Sequence, residues 1–147
     1  MNNKYEFTGE TKIVFGHTVR RIRALAAIGA SILPGDAGGW IESEHNLSTL
    51  GNAWVYDNAM VYGNAVVSGD ALVSGNSDYM VFRNSWSSFR WFTYTSSNGM
   101  WKVGCFCGTG EELIARAYKD SELSGKCYEA IVRSVEVIEK AKDGGVR

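Results

Sequence analysis

Two sets of side chains in this 147-residue sequence have the types and spacing to hold an anion. The first is Arg20, Arg21 and Arg23, interleaved with apolar residues in Thr18-Val-Arg-Arg-Ile-Arg-Ala-Leu25. A guanidinium offers a planar fork that meets a phosphate or carboxylate bidentately. On a strand, Arg21 and Arg23 share one face. The second set mixes cations with rings: Arg83, Trp86, Phe89, Arg90, Trp91, Tyr94, Trp101 and Lys102. Ring faces beside guanidinium groups suit a nucleobase joined to phosphate. The implied ligand is small, anionic and nucleotide-like. The residues expected to bind it are Arg21, Arg23, Arg83, Trp86, Arg90, Tyr94, Trp101 and Lys102, with Arg90 and Trp101 foremost. The competing roles are a solvated strand face for the first set and packing over a neighbouring element for the second.

Constellations for turnover are sparse. His17 and His45 are the only histidines, and Asp36, Asp57, Asp70 and Asp78 form no acid pair in the sequence. Hydrolysis therefore has no evident general acid and base. Cys105 and Cys107 would share a strand face and, with Cys127 and a histidine, offer zinc ligands, but the spacing is narrow and a fourth ligand is not evident. Gly104 to Gly110 precedes a predicted helix without the Gly-Lys-Ser/Thr ending of a phosphate loop. The expectation is ligand binding without a metal, a cofactor or catalysis.

Charge sets further bounds. Fifteen basic and 16 acidic residues give a net charge of −1, which argues against bulk binding of nucleic acid or an anionic membrane. No stretch approaches the 18 apolar residues of a membrane span, and the first ten residues do not read as a signal peptide. Three cysteines without a secretion signal read as reduced thiols, so a cytoplasmic location is expected.

The elements that would carry these residues divide in three. From Gly51 the chain counts in sixes: Gly51-Asn-Ala-Trp-Val-Tyr, Asp57-Asn-Ala-Met-Val-Tyr, Gly63-Asn-Ala-Val-Val-Ser, Gly69-Asp-Ala-Leu-Val-Ser. One aliphatic (Val55, Val61, Val67, Val73) and one small residue (Ala53, Ala59, Ala65, Ala71) recur per unit. A fixed short period of this kind predicts a short left-handed parallel β-helix, mainly β in class, with stacking at a spacing of 18. The expected division is an N-terminal β segment over 1–38, the hexapeptide β-helix over 39–80, and a β-hairpin with two helices over 81–147. The N-terminal segment is read as a hairpin turning at Gly9, with 18–28 as a further strand. Asn98-Gly99 predicts the turn of the second hairpin. Thr109 and Glu112 predict a capping box for a helix reaching about Lys119. A second helix over about 124–142 carries the stripe Tyr128, Ile131, Val132, Val135 and Ile138, and the tail from Asp143 is expected to fray. The repeat covers only about one and a half coils, too few to bury its own faces, so flanking caps and a homo-oligomer are expected.

Lys4-Tyr5, Arg21 to Leu25, Gly38-Gly-Trp-Ile-Glu42, Asn46-Leu-Ser48 and the Gly-Asn-Ala-x-Val units resemble a hexapeptide-repeat β-helix family common in phages, prophages and gut bacteria. Gly104-Cys-Phe-Cys-Gly-Thr-Gly-Glu-Glu-Leu113 and the helical tail are similar to the C-terminal block of such proteins. Members are often labelled transferases or polymer-forming proteins. The resemblance implies a fold and a phage setting, and it transfers no catalytic residue. In that setting a nucleotide-binding oligomer would sequester a host immune signal. Two alternatives stand beside it. One is an acyltransferase-like enzyme with His45 as the only available base. The other is a structural or host-protein-binding oligomer.

Overall fold

The computed structural model describes residues 2–143. The first ribbon is built by β1 (Tyr5–Val14) and β2 (His17–Ala24), which pair antiparallel from Val14 opposite His17 to Tyr5 opposite Ala24. The reversal comes at Phe15 and Gly16, both at positive φ, the backbone a two-residue hairpin turn requires. Gly9 does not turn the chain as expected. It lies inside β1, where the register shifts between Phe7 and Thr11. A glycine there lets one strand take a bulge and stay paired.

β2 then pairs antiparallel with β3 (Ala37–Ile41). In the hexapeptide segment the strands are β4 (Trp54–Val55), β5 (Met60–Val61) and β6 (Leu72–Val73), each two residues long. β4 pairs parallel with β6, Val55 opposite Val73, at the expected spacing of 18. β3 pairs parallel with β5, Ile41 opposite Val61, and an isolated parallel bridge joins Leu47 to Val67, both at a spacing of 20. The repeating valines and alanines are buried, Val61 completely. Gly51, Asp57, Gly63 and Gly69, one per unit, adopt positive φ.

The left-handed parallel β-helix expected from the period is nonetheless not the fold. Among the described residues the strands form three sheets: β1-β2-β3-β5 mixed, β4-β6 parallel, and a third that is antiparallel throughout. Nothing closes into a parallel solenoid. The physical reason lies in the brevity of the repeat. On one side β3 is claimed by the antiparallel strand β2. On the other, a 3-10 turn at Asn76–Asp78 ends the period and redirects the chain.

That third sheet contains β7 (Tyr79–Arg83), β8 (Trp91–Thr95), β9 (Met100–Val103) and β10 (Phe106–Gly108), ordered β10-β9-β8-β7. The expected hairpin is its middle pair, turning through residues 96–99. α1 (Gly110–Asp120) and α2 (Glu122–Asp143) follow. Thr109 Oγ1 accepts from the Glu112 N–H at 3.2 Å and Glu112 Oε1 accepts from the Thr109 N–H at 2.9 Å, so the capping box forms. The α2 stripe is buried at Tyr128, Val132 and Val135 and emerges at Ile138. The expected fraying concerns 144–147, which lie outside the described residues, while Asp143 ends α2.

Strand alternation gives the third sheet two faces and the molecule two cores. Phe92, Trp101 and half-buried Met80, Phe82, Tyr94 and Val103 pack on Leu113, Ile114, Ala117, Tyr128, Val132 and Val135 of the helices. Tyr79 and Val81 instead pack on the core built from the repeat and the first sheet. The antiparallel sheet thus stands between the helices and the repeat.

Candidate functional site

The seam between repeat and antiparallel sheet opens into a groove of about 460 Å³. His45, Asn64 and Val66 line one wall, and Arg90, Trp91, Thr93, Lys102 and Gly104 line the other. At the seam Thr93 Oγ1 accepts a hydrogen bond from the Val66 N–H at 3.0 Å. Lys102 lies directly across the β8–β9 ladder from Thr93, and Arg83 directly across the β7–β8 ladder from Trp91. Directly opposed residues share a face, so Arg83, Trp91, Thr93 and Lys102 all belong to the face turned toward the repeat. Among the described residues no carboxylate lines this groove. Among the described residues neither Arg90 nor Lys102 has an ion-pair partner. Trp91 leaves 46% of its surface exposed.

The placement of Arg90 is built into the backbone. Buried Asn84 accepts from the N–H groups of Trp86 and Ser87 at 3.0 and 2.9 Å and donates to the Tyr128 hydroxyl at 3.2 Å, which shapes the loop ahead of β8. The Asn84 N–H donates to the Arg90 carbonyl at 2.8 Å. Phe89 sits at φ 60°, a left-handed conformation that costs a side-chain-bearing residue about 1–2 kcal/mol. Arg83 lies over its ring, 5.7 Å from the centroid. The Arg90 guanidinium then rests against Gly104, where an added Cβ would come 2.5 Å from Nη1.

Of the eight residues the sequence nominated, Arg90 and Lys102 meet in this groove, and Arg83 lies on the same sheet face. Trp101 does not reach it. It is 2% exposed, packed against Tyr94, Phe82 and Phe92 beneath the helices. Tyr94 is half-buried on that same side, and its phenol is pushed up by burial first and by Glu139 next. Trp86 donates Nε1–H to Ser124 Oγ at 3.0 Å and meets Tyr128 edge-on, a docking contact for α2. Arg21 and Arg23 belong to the first sheet. Both Nε and Nη2 of Arg23 donate to Glu6 Oε2, at 2.9 and 2.6 Å. Arg21 donates Nε–H to the Gly38 carbonyl at 3.1 Å and covers Trp40.

Trp91, Asn64 and His45 join the groove without having been nominated as ligand contacts. Period-two alternation carried the signal for Trp91: it must face away from Phe92 and Tyr94, and toward Thr93. Nothing in the sequence marks Asn64, which is one of three equivalent asparagines in the repeat.

Other candidate chemistry is dispersed. His17 Nδ1 lies 3.1 Å from Glu42 Oε2, and its ring packs on Tyr62. The Gly63 N–H and then His17 hold the Glu42 carboxyl below its ordinary range. Cys105 falls in the turn before β10 and lines a different groove, while Cys107 lies within the strand, so the expected shared face is not formed. Among the described residues no cluster of three or more His, Cys, Asp or Glu side chains could hold a metal, and no helix is long and apolar enough to cross a membrane. No protein-family model matches this sequence, and no curated protein is significantly similar to it.

Proposed function

We propose that the protein binds a small anionic, nucleotide-like ligand in the groove between the repeat and the antiparallel sheet, without turning it over. The observation that carries this reading is that Arg90 and Lys102, without carboxylate partners among the described residues, stand beside the exposed ring of Trp91 in a groove that no described acidic residue lines. Some cations elsewhere are held by carboxylates, as Arg23 is by Glu6 and Arg133 by Glu111, Glu129 and Glu136. A phosphate on Arg90 and Lys102 would gain charge-assisted hydrogen bonds, and a base would stack on Trp91. Held in a phage-infected bacterial cytoplasm, such a binder would sequester a host nucleotide signal. Self-association would bury the exposed apolar tip of the first hairpin, where Ile13 and Phe15 lie open to solvent.

Native mass spectrometry of protein purified from its host cells tests the reading. A retained nucleotide supports it. A panel of cyclic dinucleotides and ADP-ribose derivatives, each followed by product analysis, then separates binding from turnover. Absence of binding across the panel contradicts the proposal, and conversion of any member makes the protein an enzyme.

A further inference from the structure

A second groove, of about 380 Å³, opens on the other side of Arg90. Ser87, Ser88, Cys105, Arg116 and Asp120 help to line it. The two grooves share Arg90, and they meet again at consecutive residues, with Gly104 lining the first and Cys105 the second. Arg116 on α1 covers the Phe106 ring, 5.5 Å from its centroid, and has no ion-pair partner among the described residues. Cations thus stand in a row, with Lys102 on one side, Arg90 shared in the middle, and Arg116 on the other side.

The charge pattern along this row is not uniform. Among the described residues Asp120 is the single carboxylate lining either groove. It would repel a terminal phosphate, and it would accept a hydrogen bond from the N–H groups of a base. The phosphate therefore belongs at the centre, on Arg90, with an uncharged nucleoside end toward Asp120. At the opposite end Trp91 offers the ring for a second base. A mononucleotide fills one groove and leaves a cation on the far side unmatched.

We infer, resting on the binding reading above, that the ligand has two nucleoside-sized lobes joined by phosphate: a dinucleotide lying across Arg90 with one lobe in each groove. Both lobes bind through one linker, so occupancy of the second groove follows from the first at high effective concentration.

Calorimetry with AMP, GMP, linear pApA, cyclic di-AMP and cyclic di-GMP distinguishes the possibilities. The inference expects at least one two-lobed probe to bind about 30-fold or more tighter than its mononucleotide. It expects Arg116→Ala, checked for an unchanged melting temperature, to reduce that preference to within about threefold by removing a charge-assisted contact from the second lobe alone. Equal affinity for mononucleotide and dinucleotide overturns the two-lobed ligand while leaving the single-groove reading standing. A preference that survives Arg116→Ala also overturns it. No binding by any of the five overturns both.

Discussion

At the residue scale, one buried amide joins the entry segment to the repeat. Asn46 Oδ1 accepts from the N–H groups of Glu42 and Ser43, and its Nδ2 donates to the carbonyls of Gly63 and Ala65 at 3.1 and 2.8 Å. It ties the entry segment to the hexapeptides with no polar atom left over. Asn46→Ala should lower stability by about 3 kcal/mol, because the buried backbone groups lose their partner. A urea midpoint within error of the parent would refute this role. Glu42 gives a pH signature. Its folded-state carboxyl sits below the ordinary value, so its contribution is present above the unfolded pKa and is lost as pH falls through the folded one. Stability should decline on acidification below about pH 5, and Glu42→Gln should flatten that decline when midpoints are followed against pH. The arginines were legible as a class and not as a site. Arg23 and Arg90 look alike in sequence, and only the fold puts Glu6 beside one and a groove beside the other.

At the scale of elements, local rules were read well wherever a short-range interaction decides. The Thr109 cap and the turn at Asn98-Gly99 form, the α2 stripe is buried up to Val135, and the strand expected over 18–28 forms but ends at Ala24. Thr109→Ala should cost about 1 kcal/mol, measured by thermal melting. The corners of the repeat allow a sharper comparison. Gly51 and Gly63 have similar positive φ values of 70° and 65°, yet an added Cβ meets the Gly69 carbonyl at 2.6 Å only at Gly51. Gly63→Ala should cost about 1–2 kcal/mol for the left-handed backbone alone, and Gly51→Ala distinctly more. Equal losses would show that the two parallel strands do not approach as described. The hairpin expected at Gly9 does not form, because a glycine between alternating residues signals a bulge as readily as a turn, and only the cross-strand partner decides.

At the scale of the whole molecule, the period identified which residues are buried and failed to identify the architecture. Val55, Val61, Val67 and Val73 are core residues in the observed fold, as a β-helix would also require. What the period did not reveal is the competition at its ends, where β2 and β7 redirect the chain into antiparallel pairing. Those pairings link distant segments and leave no periodic trace. The groove is a product of the same event, since it lies where the antiparallel sheet meets the repeat. Its most direct test is calorimetry of the parent, an Arg90→Ala, Lys102→Ala double variant and Arg23→Ala, all against the tightest ligand of the cyclic dinucleotide and ADP-ribose panel. The account predicts that the double variant loses at least about a hundredfold in affinity, two charge-assisted contacts at roughly 1.5–3 kcal/mol each. It predicts that Arg23→Ala, whose guanidinium is held by Glu6 on another sheet, binds as the parent does. Unchanged binding by the double variant, with its fold intact, would contradict the account.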